Sequence, residues 1–223
     1  MTFVVPEEFN RNAKNVQELG PAADTGLSLI RYMCERIGIP DLGDKDVLDF
    51  GCGTRFADTI INRNVPVRAY VGIDVFKPMI DFLSENVSDP RLSFYHLNAW
   101  NPIYNPDGES MSPTTVLPIG HRTFDVACMF SVITHQLPAD ALSILTILRG
   151  QVRSNASLFF SACLEDGDFG YREGTPESPG ALSIYTPTLI ETLVQRAGWR
   201  IVSIEPRNAN DLPILDSYLC APA

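Results

Sequence analysis

Residues 47–59, VLDFGCGTRFADT, leave this chain few ways to fold. Val47, Leu48 and Phe50 surround Asp49 in a short apolar run, the pattern of a parallel strand covered on both faces. Gly51 and Gly53 follow at once, flanking Cys52, and glycines there permit a tight turn and a close approach of backbone to a ligand. Phe56, Ala57, Ile60 and Ile61 then recur at helical spacing. Strand, glycine loop and helix in that order make the first half of a nucleotide-binding βαβ unit.

A glycine loop alone is a weak signal, so what lies downstream matters. In such units an acid about 20 residues further on closes the second strand and accepts hydrogen bonds from ribose hydroxyls. Tyr70, Val71, Gly72 and Ile73 form a second apolar run, and Asp74 ends it at that spacing from Gly53.

With these residues the sequence resembles class I S-adenosylmethionine-dependent methyltransferases. Asp49, Gly51 and Gly53 match their first motif, and Asp74 matches the acid that ends their second. A pyrophosphate-binding dehydrogenase more often shows three glycines and lacks the acid at position 49, so Asp49 favours a ligand with an amino group and no phosphate. The resemblance implies a doubly wound α/β fold with a seven-stranded, mostly parallel sheet and an antiparallel C-terminal hairpin. It also implies S-adenosylmethionine as cofactor, held by Asp49, Gly51, Cys52, Gly53, Asp74 and Val75. Arg55 stands where the family usually has a third glycine, either as a substitution or through deletion of one residue. It reaches the cofactor's carboxylate or is a solvated arginine of the helix's first turn.

The chain has 223 residues, 45% of them hydrophobic, with no apolar run approaching 18, which suits one domain with a sizeable core and no membrane span. Its first residues show no basic region followed by a long apolar core, so the expected location is the cytosol. The net charge is -10, and no run of Lys and Arg could neutralise phosphates, so nucleic acid and anionic membrane are poor partners. The five cysteines form no CxxC pair, and Cys128, Cys163 and Cys220 fall in strand-like apolar runs as small buried hydrophobes. Neither disulfides nor zinc are expected.

Along the chain, residues 1–21 form an N-terminal lid segment and 22–223 the cofactor-binding domain. Arg11, Asn12 and Gln17 are candidate lid contacts, with simple packing as the alternative. Helices are expected over 22–37, from position 56 onward, over 76–87, from Pro138 and over 188–197; strands over 91–97, 124–131, 157–163, 199–204 and 217–220. In the resembled family an acid after the third strand accepts from the adenine amino group, and Asn98 could do the same beside Ala99; the alternative is an Asn that caps a turn. Residues 101–123, rich in Pro, Gly, Ser and Thr, read as a long loop without helical period.

The fourth strand closes at Phe130 and Ser131, where cofactor and acceptor should meet, and SVITHQLPAD follows. That segment resembles the SVFTHLP-type signature of one broad group of these enzymes. His135 then sits in a turn and could take the proton from an acceptor hydroxyl; alternatively it only braces the turn. The other histidines are His96 and His121. Thr134 and the acidic loop 164–186, with Glu165, Asp166, Asp168 and Tyr171, are candidate contacts to a small-molecule acceptor such as a sugar or glycoside, a solvated connection being the alternative. Asp166 and Asp168 could hold Mg²⁺ through oxygen ligands, a weak signal from two carboxylates. The leading expectation is O-methylation with His135 as base; N-methylation of a small amine, a cofactor-binding protein without turnover, and a nicotinamide-dependent reductase are the rivals.

Overall fold

The computed structural model describes residues 2–10, 17–174, 182–207 and 215–223. Helix α1 (Ala22–Ile37) starts after Pro21 and stops at Gly38, which takes the left-handed conformation and donates its N–H to Cys34 O. Then follow β1 (Leu42–Phe50), α2 (Arg55–Asn62), β2 (Val67–Asp74), α3 (Lys77–Asn86), β3 (Leu92–His96) and β4 (Phe124–Met129). A 3₁₀ turn (Ile133–His135) leads into α4 (Pro138–Gly150), β5 (Val152–Leu164), β6 (Tyr171–Glu173), β7 (Ser183–Tyr185), α5 (Pro187–Arg196), β8 (Trp199–Glu205) and β9 (Asp216–Pro222).

Strands β3, β2, β1, β4 and β5 lie side by side in that order, all parallel. The direction of winding reverses between β1 and β4, and ligands of open α/β sheets bind in the crevice beyond the strand ends at such a reversal. On the far edge β9 inserts antiparallel between β5 and β8. These seven strands are the expected doubly wound sheet with its antiparallel C-terminal pair. Two short strands are added to it: β7 pairs parallel with the end of β5, and β6 pairs antiparallel with β7.

The apolar runs are explained by helices on both faces. Leu48, Ala127, Met129, Leu158 and Phe160 face one core with Ile144, Leu148, Ile190 and Val194 of α4 and α5. Their chain neighbours Val47, Val126, Cys128 and Phe159 face the other, with Met33, Ile60 and Met79 of α1, α2 and α3. Alternate residues of each strand thus bury in opposite layers. Helices α1 and α2 approach closely at Gly26, where a Cβ would lie 2.0 Å from Thr59 Oγ1. All five cysteines are free and buried.

Several expectations change in extent: β1 begins at Leu42, β4 ends at Met129 rather than at Ser131, and β9 runs on to Pro222. β5 begins at Val152, which pairs with Phe124 ahead of a register shift, and not near position 157. The connection 164–186 is not a bare loop, since among its described residues β6 and β7 pair antiparallel.

Candidate functional site

A cavity of about 730 Å³ opens at the carboxyl ends of β1, β2 and β4, a size that suits a small-molecule ligand. The glycine loop forms its floor. Gly51 and Gly53 have φ of 74° and 53°, values that side chains with a Cβ rarely adopt. The N–H groups of Gly51 and Cys52 both donate to Ile73 O, at 2.7 and 3.0 Å, which ties the loop to the end of β2. A Cβ on Gly51 would lie 2.4 Å from Val132 Cγ2, so the turn after β4 seats directly on this loop.

Asp74 is held by the same loop. Its Oδ2 accepts from Gly53 N and its Oδ1 from Phe76 N, each at 3.0 Å. Carboxylate oxygens have further lone pairs, so Asp74, which lines the cavity with Val75, can accept from ligand hydroxyls as well.

Asp49 is 3% exposed and receives the Tyr70 hydroxyl on Oδ2 at 2.6 Å. Burial raises its carboxyl to about 7; hydrogen bonds from Tyr70 and Cys128 oppose the rise, and the charge of Asp74 adds to it. Arg55, the first residue of α2, also lines the cavity, and burial lowers its guanidinium to about 10. Its stem runs past Gly26, where a Cβ would come within 3.0 Å of Arg55 Cγ. The cavity wall therefore carries a buried carboxyl and a half-buried guanidinium.

At the end of β4, Phe130 and Ser131 line the cavity. Ser131 has φ 59° and donates its N–H to Ser161 Oγ at 2.8 Å, and such backbone strain outside glycine collects at functional sites. In the following turn Thr134 and His135 both line the cavity, Thr134 buried and His135 exposed. The N–H of His135 donates to Val132 O.

The other expected residues lie elsewhere. Ala99 lines the cavity but Asn98 does not: its side-chain carbonyl accepts from Asn105 Nδ2 at 3.1 Å and its backbone carbonyl from Glu109 N at 2.9 Å. None of Glu165, Asp166, Asp168 and Tyr171 lines it either. Glu165 pairs with Arg172, and Tyr171 shares a hydrogen bond with Ser183 Oγ and packs edge-on to Tyr185. Arg11, Asn12 and Glu177 lie outside the described residues. Among the described residues no three of His, Cys, Asp and Glu gather as metal ligands, and no helix is long and apolar enough to cross a membrane.

Several wall residues carry no local signal. Phe9, from the 3₁₀ turn Glu7–Phe9, closes one side, packed against Phe76 and Phe82, with its carbonyl accepting from Thr54 Oγ1. Tyr104 and Met111 arrive from the long loop, Leu182 from beside β7 and Leu215 from beside β9. Phe9 stood out in the sequence only as an apolar anchor.

Residues 7–204 match the family model described as a methyltransferase domain. Among similar solved structures is the glycopeptide N-methyltransferase MtfA in complex with S-adenosyl-L-homocysteine, at TM-score 0.64 and 10% identity, covering 89% of this chain and 90% of that one. The 1,6-didemethyltoxoflavin-N1-methyltransferase of Burkholderia thailandensis, also with S-adenosylhomocysteine, matches at TM-score 0.61 and 18% identity over 94% and 82% of the two chains. The mitomycin 7-O-methyltransferase MmcR matches at TM-score 0.57 and 12% identity, over 91% of this chain and 54% of that one. At these identities the likeness to solved structures is one of fold.

Proposed function

Since the chain belongs to the methyltransferase domain family and is an S-adenosylmethionine-dependent methyltransferase, we propose that it methylates a hydroxyl group of a small polar acceptor, a sugar or glycoside, with His135 as general base. The observation that carries this reading is the position of His135, the one histidine in the cavity wall, in the turn that follows β4.

The residues present fit the cofactor. Asp49 and Arg55 offer opposite charges to its amino-acid end, Asp74 offers acceptor oxygens to ribose hydroxyls, and Val75 and Ala99 offer apolar surface to its base. When bound, S-adenosylmethionine supplies an electrophilic methyl group on a sulfonium sulfur. The protein's share is alignment and shelter from water in a walled cavity. A neutral hydroxyl is a poor nucleophile, and His135 would accept its proton as it attacks.

Methylation of an amine nitrogen is the second reading, supported by the N-methyltransferases among the similar structures. An amine attacks as its free base and needs no proton acceptor. The variant His135→Ala separates the two: tested against a panel of sugar, phenol and amine acceptors with labelled S-adenosylmethionine, it should keep cofactor affinity and lose turnover roughly 10²- to 10⁴-fold. Full turnover would refute the base assignment and favour nitrogen.

A further inference from the structure

Tyr70 is a buried phenol with no part in the chemistry above, and its hydroxyl donates to Asp49 Oδ2 at 2.6 Å. The sheet register makes that bond. Asp49 stands opposite Gly72 on β2 and opposite Cys128 on β4, and Tyr70 precedes Gly72 by two residues on the same face. With no side chain at position 72, the ring reaches diagonally along β2 to the carboxylate. A Cβ on Gly72 would lie 2.8 Å from Cys52 Sγ and 3.0 Å from Phe94 Cδ1, so a larger residue there would displace Cys52 of the glycine loop.

Asp49 lines the cavity and Tyr70 does not. Tyr70 therefore acts on a ligand only through the carboxylate. Burial, with the negative charge of Asp49 beside it, pushes the Tyr70 hydroxyl well above its ordinary range and does the same to the Cys128 thiol, so both remain proton donors. A carboxylate has on the order of four acceptor positions, and two donors from the neighbouring strands leave capacity for a ligand's cation. Burial raises the Asp49 carboxyl to about 7; the hydrogen bond from Tyr70, and after it that from Cys128, hold it down, while the Asp74 charge adds to the rise. Cys52 and Arg55 are the other ionisable groups of the cavity floor, and Cys34 of α1 stands near Cys128.

We infer that Tyr70 is a positioning residue: its hydroxyl holds the Asp49 carboxylate for the ammonium group of S-adenosylmethionine and thereby sets the lower limit of the pH range in which the cofactor binds. The inference rests on the cofactor assignment above and adds a pH dependence with a named origin. Tyr70→Phe keeps the ring and removes the hydroxyl. The carboxyl left behind can take up a proton, so the variant traps no unpaired charge in its fold.

The test is calorimetric titration with S-adenosylhomocysteine, from about pH 5 to 9, of wild type, Tyr70→Phe, Asp49→Asn and the double variant. The reference ligand, added by displacement, is 5′-methylthioadenosine, which lacks the amino-acid group. In wild type the affinity for S-adenosylhomocysteine should decline below about pH 7, and in Tyr70→Phe the decline should begin about one pH unit higher. At about pH 6 to 7 the variant should thus bind roughly five- to tenfold more weakly, with the gap closing towards pH 9. Affinity for 5′-methylthioadenosine should match in the two proteins at every pH, and Tyr70→Phe should change nothing in the Asp49→Asn background. A decline that begins at the same pH in wild type and Tyr70→Phe overturns the inference, as does an equal loss for both ligands at every pH, which marks a structural hydroxyl. Histidines titrate in the same range, so a decline that persists in Asp49→Asn belongs to another group, His135 included, and overturns it too. If wild type failed to bind S-adenosylhomocysteine at any pH, the cofactor assignment would fall and the inference with it; the other outcomes leave that assignment standing.

Discussion

Asp49 should make the ligand-free protein less stable than it could be. A carboxyl raised by burial from its ordinary value near 4 to about 7 carries a cost of roughly 4 kcal/mol once it ionises. Between those two pH values the native state keeps a proton that the unfolded chain has lost. The native state therefore binds more protons, and stability falls as pH rises from about 4 to about 7, then levels off. Asp49→Asn removes the charge and can still accept from the Tyr70 hydroxyl. Allowing for water in the cavity, the variant should gain about 2–4 kcal/mol at pH 8, a rise in melting temperature of roughly 5–15 °C for a chain of this size. It should lose S-adenosylmethionine affinity at the same time, by about 1.5–3 kcal/mol if the cofactor's ammonium is the lost partner. Melting curves of the ligand-free proteins from pH 5 to 9, with titrations at pH 8, test both halves. Parallel stability profiles for variant and wild type would refute the reasoning, because they would mean that Asp49 is no more costly than an amide. In wild type, affinity should also decline as pH falls below about 7 and the carboxylate is protonated, and the variant should lack that decline.

Gly51→Ala should cost about 1–2 kcal/mol from the left-handed backbone alone, and more from the methyl placed 2.4 Å from Val132 Cγ2; denaturant titration measures the loss, and unaltered stability would mean that the loop refolds at no cost. Asp74→Ala removes the acceptor for the Gly53 and Phe76 N–H groups, so S-adenosylhomocysteine affinity should drop by roughly 1–3 kcal/mol in calorimetry. Gly26→Ala forces a Cβ into Thr59 Oγ1 and should destabilise by about 1–3 kcal/mol as overpacking does, with a smaller loss in the double variant Gly26→Ala, Thr59→Ala.

The half of the site built by the first βαβ unit could be read from the chain, because its chemistry is local. Gly51 and Gly53 are required by backbone geometry, and Asp74 sits at a spacing set by one helix and two strands. Asn98 was harder: only the fold of the long loop, which brings Asn105 and Glu109 back onto it, decides where its amide is used. The partners of the acidic segment are set by the fold in a related way. Strands β6 and β7 have three residues each, too few for a period-two signal, yet they turn Glu165 to Arg172 and Tyr171 to Ser183. Phe9, Leu182 and Leu215 reach the cavity from distant points of the chain, and no local pattern announces such a convergence.

The placement of β9 between β5 and β8 bears on how this protein is made. During synthesis β5 emerges about fifty residues before the strand that pairs with its Leu158–Ala162 segment. At ordinary elongation rates that interval lasts roughly 3–10 s, with an apolar Leu-Phe-Phe edge lacking its neighbour. Such an edge invites pairing with other chains. The nascent polypeptide thus passes through a window in which aggregation competes with completion of the sheet, and slow codons or truncations between positions 165 and 216 would widen it.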